Sequence, residues 1–441
     1  MSAPRSPSTG PSPTSPATAP PDSSSSPAGS PNPRARRRYP PSMSEGTLEH
    51  ALTPADVAAA NALTKRWLLA NDELPSAASG LGVWALLAIL ATGALEETEE
   101  ELLAAVGLDA ECTAALPGAL AEGVASAPAI SLAVAAWAGA RVTLDPEWTT
   151  GLPADAVGSL TGDTAADKAA LDAWASRNTR GLIETMPVDL DEATALVLAS
   201  ALSVRTRWRT PFENDGSLRE GPWARDPRVK TLTAEYHEDV LRVGANASVL
   251  TVRGEDDVDV LLAVGYDDVT PGQVMARLLA AANNPDWGRS AIALDAGKSG
   301  PGVRIAESYE EHPQVAPEIE VHTVGFDVTA DLDLLADAEA LGLELASDSD
   351  LAQFARLATQ PLHVAQAKQT CTATFDATGF EAAAVTAFGM SYMGGLPTEP
   401  DRPHRHVRAR VTFDRPFAYL ARHRPTGLVL VAGWVAEPAL H

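Results

Sequence analysis

The chain has 441 residues, enough for two or three average domains or a single large one. A hydrophobic fraction of 45% allows a sizeable core, and the formal net charge is -25. So acidic a balance argues against nucleic acid as a partner, because phosphate contacts need clustered Lys and Arg, and it leaves room for a basic partner.

Residues 1–42 hold twelve Pro, eleven Ser, five Arg and one Asp. Such a stretch buries too little surface to offset its ordering entropy, so residues 1–45 are expected to be a disordered tail. The run R-A-R-R-R at 34–38 reads as part of that solvated tail. Met43 opens M-S-E-G-T-L-E-H, directly ahead of the first helical pattern, and is a candidate translation start. The N-terminus lacks the charged and apolar regions of a signal peptide, so a cytoplasmic location is expected. No apolar run reaches eighteen residues, so no membrane partner is expected.

From Thr53 the sequence T-P-A-D-V-A-A-A-N-A-L-T-K-R-W-L-L predicts a helix, with Thr53 as N-cap and Pro54 in the first turn. Residues 81–94 are apolar nearly all round and predict a buried helix. E-E-T-E-E-E-L-L-A-A-V-G then predicts an amphipathic helix whose acidic first turn suits the helix dipole. Ser131 to Ala138 reads as a strand and Ala165 to Ile183 as a helix. Leu196 to Val204 is a continuous apolar run of strand length, as in a strand covered on both faces. Strands are expected at 247–253, 256–265, 317–328 and 363–375, and helices at 271–283 and 332–342. Helices come first and strands dominate later, which argues for an α+β fold in one domain over residues 46–441.

Enzyme motifs are missing. There is no phosphate-binding Gly loop, no H-E-x-x-H, no paired C-x-x-C and no G-x-S-x-G, so no catalytic residue, cofactor or metal is assigned. His404 and His406 read as part of a solvated charged loop. The acidic run 254–260 reads as a hairpin turn entering a strand. Cys112 and Cys371 make no disulfide framework and read as two small buried residues.

Gly379 to Ala387 reads G-F-E-A-A-A-V-T-A. A strand-like stretch precedes it, and a loop rich in Gly, Pro and charge follows. Then comes an apolar end, F-D-R-P-F-A-Y-L and R-H-R-P-T-G-L-V-L-V-A-G-W-V. Four further segments carry a pattern. They are 78–94, L-D-A-W-A-S-R-N-T-R-G-L-I (171–183), L-V-L-A-S-A-L-S-V-R-T-R-W-R-T-P-F (196–212), and the set Phe413, Arg415, Pro416, Phe417, His423, Pro425, Thr426, Gly427 and Gly433. In this order, with the Ala-rich run between the last two, they resemble the serpins, a family of serine protease inhibitors.

The resemblance implies one large domain with three sheets, about eight or nine helices and an exposed reactive loop at about 377–410. It implies a suicide mechanism in which a protease cleaves the loop and the loop then enters the central sheet as a new strand. The family's hinge falls on Gly379, Phe380, Glu381, Ala382, Ala383, Ala384, Val385 and Thr386. Alternation puts Phe380, Ala382, Ala384 and Thr386 under the sheet and Glu381, Ala383 and Val385 outside. The polar cluster that controls sheet opening falls on Ser79, Ser200 and Gln369. Counting forward from Gly379 puts the scissile bond at Met393–Gly394, and counting back from Phe413 puts it at Arg405–His406. The first is preferred, because a later bond leaves slack in the inserted strand. Tyr392 and Met393 suit a chymotrypsin- or subtilisin-like protease with an apolar specificity pocket as partner. A monomer is expected, and the family allows an extracellular location.

The sequence departs from the family pattern at several points. Ala377 stands where the family has Glu, Gly80 where it has Pro, and Gly82 where it has Ser. Ser200 and Gln369 stand for Asn and His. Phe380 stands where a small Thr or Ser is usual, and its ring is expected to overpack by about 1–3 kcal/mol and slow entry. These departures keep open an alternative, a non-inhibitory binding or scaffold protein whose loop is only a substrate.

Overall fold

The computed structural model describes residues 47–70, 73–191, 194–214, 216–297, 299–380 and 404–441. The expected tail at 1–45 lies outside them. Helix α1 (Pro54–Leu68) starts as predicted. The Thr53 hydroxyl accepts from the Asp56 N–H, the Asp56 carboxylate accepts from the Thr53 N–H, and Pro54 sits in the first turn. Helix α2 (Gly80–Gly93) is buried nearly throughout. Helix α3 (Glu96–Val106) stops at Gly107, whose φ of 77° closes the last turn. Helix α4 (Ala110–Ala125), capped by Asp109, was not expected from the sequence.

Helix α5 (Thr164–Asn178) ends five residues before the predicted Ile183. Arg180 and Gly181 take left-handed conformations and turn the chain out of the helix. Helix α6 (Pro271–Ala282) carries a second capping box, Thr270 with Gln273. The helix expected at 332–342 resolves into a 3-10 turn (Leu334–Asp337) and one helical turn (Ala338–Leu341). With the other short segments, the described residues hold ten α-helices, slightly more than expected.

Three sheets complete the α+β fold. The large sheet has the order β2 (Val157–Ser159), β1 (Ile130–Ala138), β3 (Leu196–Val204), β13 (Gln366–Phe375), with β12 (Phe326–Asp333) on the outer side of β13. At one end β14 (Gly379–Phe380) lies between β13 and β4 (Thr206–Arg207). The second sheet is β10 (Val303–Glu310), β15 (His404–Thr412), β11 (Glu318–Val324), β5 (Thr231–Tyr236). The third is β17 (Val429–Val435), β16 (Phe417–His423), β8 (Val258–Gly265), β7 (Ala247–Arg253), β6 (Leu241–Val243), β9 (Arg289–Ser290).

The acidic run is the expected hairpin turn between β7 and β8, with Asp256 and Asp257 both at positive φ. The single strand expected at 317–328 is two, β11 and β12. They part at Gly325 and belong to different sheets.

All nine residues of β3 are buried. Leu196, Leu198, Leu202 and Val204 join the main core with α2, whereas Val197, Ala199 and Ala201 pack with Leu171 and Trp174 of α5. That is the two-sided cover the sequence predicts for an unbroken apolar strand. The cysteines differ from expectation. Cys371 is buried, and burial pushes its thiol pKa up to about 12, but Cys112 is exposed on α4.

An aromatic tract runs beneath the end of the large sheet. Trp208 lies 4.8 Å from Phe375, Phe375 stacks on Phe326 at 5.4 Å, and Phe326 meets Tyr419 at 4.7 Å. Trp208 is 3% exposed and its indole N–H donates to the Asp376 carbonyl at 2.8 Å. Trp208→Ala is expected to cost about 3–5 kcal/mol of unfolding free energy. Urea denaturation measures it, and a loss below about 1 kcal/mol would show that the tract does not hold this end of the sheet.

Candidate functional site

The middle of the large sheet is a seam. β1 pairs β3 antiparallel and β12 pairs β13 antiparallel, but β3 and β13 run parallel. Their register covers Gln366↔Val197 through Cys371↔Leu202. Beyond Cys371 the two strands do not pair with each other, and the gap at that end admits β14. Phe380 pairs Phe375 on one side and Thr206 on the other, antiparallel to both. The first two hinge residues are therefore already a strand of the sheet.

A tight turn delivers them there. One carboxylate oxygen of Asp376 accepts from the Thr378 N–H (2.7 Å), the Thr378 hydroxyl (2.9 Å) and the Gly379 N–H (2.9 Å). Trp208 and Phe212, just after β4, hold the turn through their N–H groups, which donate to the Thr378 and Ala377 carbonyls. Gly379 is required by close approach, since a Cβ there would meet the Thr206 carbonyl oxygen at 2.4 Å. Ala377 is 6% exposed, so the position where the family carries Glu is buried here.

Phe380 corrects an expectation. Its ring is 1% exposed and lies 6.3 Å from Tyr419, seated in the core before any further insertion. In the intact protein the aromatic tract already houses the ring, so its burial there does not wait on insertion.

Ser79, Ser200 and Gln369 are brought together, each fully buried. The Gln369 carbonyl oxygen accepts from the Ser79 N–H at 2.8 Å, and its amide donates to the Ser79 carbonyl at 2.9 Å and the Ser200 hydroxyl at 3.0 Å. The Ser79 hydroxyl donates to the Leu430 carbonyl of β17 at 2.7 Å and accepts from the Gly82 N–H at 3.2 Å, capping α2. A Cβ on Gly82 would meet the Ser200 hydroxyl at 2.6 Å and the Gln369 amide at 3.0 Å. The Ser200 hydroxyl first, and the Gln369 amide next, thus occupy the space that a Ser side chain at 82 would need.

Glu381, Ala382, Ala383, Ala384, Val385, Thr386, Met393 and Gly394 lie outside the described residues. The expected loop is shorter than 377–410 at both described ends. Residues 379–380 are strand, and 404–412 form β15. His404 and His406 are thus not in a solvated loop. Arg405 and His406 pair with Tyr309 and Ser308 of β10, and His406 is 8% exposed. Ion pairs of Arg405 with Glu307, Arg408 with Glu318 and Arg410 with Glu320 hold this charged strand in its sheet. Sequence reasoning missed Asp376, Trp208 and Tyr419 as supports of the hinge. The Asp-x-Thr-Gly run before the Ala-rich segment was the available signal for the turn. Among the described residues no three metal-ligating side chains converge, and no single helix is long and apolar enough to cross a membrane.

A family model described as Serpin (serine protease inhibitor) matches residues 59–228 and 306–438, more than half of the chain. Plasminogen activator inhibitor 1 of Sus scrofa is 24% identical over 284 residues, which is 60% of this chain and 60% of that protein. Among solved structures, the thermophilic serpin Tengpin in its native state matches with a TM-score of 0.67 at 15% identity, covering 87% of this chain and 93% of that one. A complex of thyroxine-binding globulin with thyroxine matches with a TM-score of 0.64 at 17% identity, covering 87% and 99%. The structural likenesses show the fold, and the family match shows the descent: this chain belongs to the serpins.

Proposed function

We propose that the chain inhibits serine proteases as a suicide substrate, by insertion of its reactive loop between β3 and β13. The register at the seam carries this. Phe380 faces Thr206 and Phe375. Four residues further along an antiparallel strand, Ala384 would face Leu202 on one side and Cys371 on the other, and these two already face each other. Thr386 would likewise face Ser200 and Gln369, which are partners now. An entering strand therefore needs β3 and β13 to move apart but not to slide.

The side chains suit that passage. Ala382 and Ala384 would enter beside Val204, Leu202, Ala373 and Cys371, which are buried and close-packed. Thr386 would bring a hydroxyl to the Ser200–Gln369 pair, so the hydrogen bond lost on opening has a replacement. Insertion also exchanges one parallel ladder for two antiparallel ones, which are somewhat more stable per residue.

The chemistry follows from the family. The protease's serine oxygen bonds to the Met393 carbonyl carbon, the Met393–Gly394 amide bond breaks, and Gly394 leaves as an amine. The strand from Phe380 to Met393 spans roughly 43 Å, which would carry the acyl-enzyme to the far end of the sheet before water reaches it. The placement of Arg405–His406 in a paired strand supports the earlier bond. Tyr392 and Met393 favour a protease with an apolar specificity pocket. The second reading, a non-inhibitory protein whose loop is only a substrate, rests on Ala377 and is the other outcome of the same test.

Mixing with chymotrypsin or subtilisin should give a complex that survives boiling in SDS, and complete turnover to clipped protein with no such band would reject inhibition. Because its ring is already seated, Phe380→Thr should lower the stability of the intact protein by about 2–4 kcal/mol without raising the share of protease trapped. A larger trapped share would restore Phe380 as a brake. Gln369→Ala strands the Ser79 N–H and carbonyl in the core and should cost about 2–4 kcal/mol in chemical denaturation, and an unchanged midpoint would remove the cluster from the seam.

A further inference from the structure

Asp376, Ala377 and Thr378 reverse the chain between β13 and β14. This turn is bonded from both sides. Within it, the Asp376 N–H donates to the Gly379 carbonyl at 3.0 Å. From just after β4, the Trp208 indole N–H donates to the Asp376 carbonyl, and the backbone N–H groups of Trp208 and Phe212 donate to the Thr378 and Ala377 carbonyls. A single carboxylate oxygen, on Asp376, takes the N–H groups of Thr378 and Gly379 and the Thr378 hydroxyl. Hydrogen bonds to a charged acceptor are roughly twice as strong as neutral ones.

What the carboxylate fixes is direction. Asp376 and Thr378 are only half-buried, so neither side chain fills much of the core. The turn sets the residues that follow it. Gly379 faces Arg207, and Phe380 faces both Phe375 and Thr206. Further down the seam, β3 and β13 face each other from Cys371↔Leu202 onward. Adding a strand costs most at its first rung, where residues are ordered before later bonds offset the loss. Here that rung exists while the loop is still whole.

Resting on the insertion reading above, we propose that Asp376 is a positioning residue for that step. Its carboxylate keeps Phe380 in register between Phe375 and Thr206, so that a cut chain adds its next residues to a strand already begun. Without the carboxylate, the Thr378 and Gly379 N–H groups lose their acceptor and the turn opens part of the time. Losing hydrogen bonds to a charged acceptor shifts such an equilibrium by roughly ten- to a hundredfold. Insertion then slows in proportion to the fraction of turn that stays formed.

The test cuts the loop of the full chain with excess thermolysin, a zinc protease that forms no acyl-enzyme, so the step after cutting is followed alone. The fraction of cut chain that resists a brief urea pulse is measured against time. Asp376→Ala should slow its rise by about tenfold. Asp376→Asn keeps a side-chain carbonyl that accepts from N–H groups, and should stay within about threefold of the unaltered chain. Thr378→Val removes one bond of the three and should slow the rise by about threefold, which keeps the test informative if Asp376→Ala does not fold. Leu278, 0% exposed on α6, serves as the control for stability alone. Leu278→Ala should lower the melting temperature of the intact chain and leave the insertion rate unchanged. Equal rates in the unaltered chain and folded Asp376→Ala, or in Thr378→Val where Asp376→Ala does not fold, would overturn the assignment and leave insertion standing. So would Asp376→Asn or Leu278→Ala slowed as much as Asp376→Ala. No urea-resistant fraction from the unaltered chain would instead remove the insertion reading, and the role of Asp376 with it.

Discussion

A parallel pair of strands lies at the middle of an otherwise mainly antiparallel sheet, and the rest of the molecule is arranged around that seam. β3 and β13 are each secured on the outer side by a long antiparallel neighbour, β1 and β12. Between themselves they share only the stretch from Gln366↔Val197 to Cys371↔Leu202. Parallel pairing is the weaker kind per residue. The strands therefore have their firmest attachments on the sides that would move apart together, and their weakest attachment where a new strand would enter.

Two polar clusters lie along the seam. At its closed part, Gln369 bridges from β13 to Ser200 of β3 and to the backbone of Ser79 at the start of α2. Separating the strands breaks the first bond, while the two bonds to Ser79 tie Gln369 to α2, which packs beneath. At its open end, the Asp376 turn folds the chain back and places Gly379 and Phe380 as the first residues of the added strand. The aromatic tract from Trp208 to Tyr419 gives Phe380 a fixed seat, so the position of β14 is set by packing.

Much of this was readable in the residues. β3 is nearly unmistakable, because nine consecutive apolar or small side chains at strand length fit only a doubly covered strand. The capping boxes at Thr53 and Thr270 have local causes and so local signals. Other elements depend on distant partners. α4 carries Pro117 in its interior, which masks its helical pattern. β15 alternates Val407, Ala409 and Val411 inward with Arg408 and Arg410 outward. Its charges read as loop until Glu318 and Glu320 are placed opposite them. The site was legible as a set, Ser79 with Ser200 and Gln369, but the bonds among them were not. The seat of Phe380 was misjudged for the same reason. Tyr419 and Phe375 lie 39 and 5 residues away, and nothing local announces the space they leave for a ring.

The central claim is that β3 and β13 part to admit the chain after Phe380 once that chain is cut. The most direct test is the melting temperature of the protein before and after a single cleavage in the loop. If the freed segment enters the seam and completes the sheet, the clipped protein should melt well above the intact one, by roughly 10 °C or more for several kcal/mol gained. An unchanged or lower melting temperature after clean cleavage would contradict insertion.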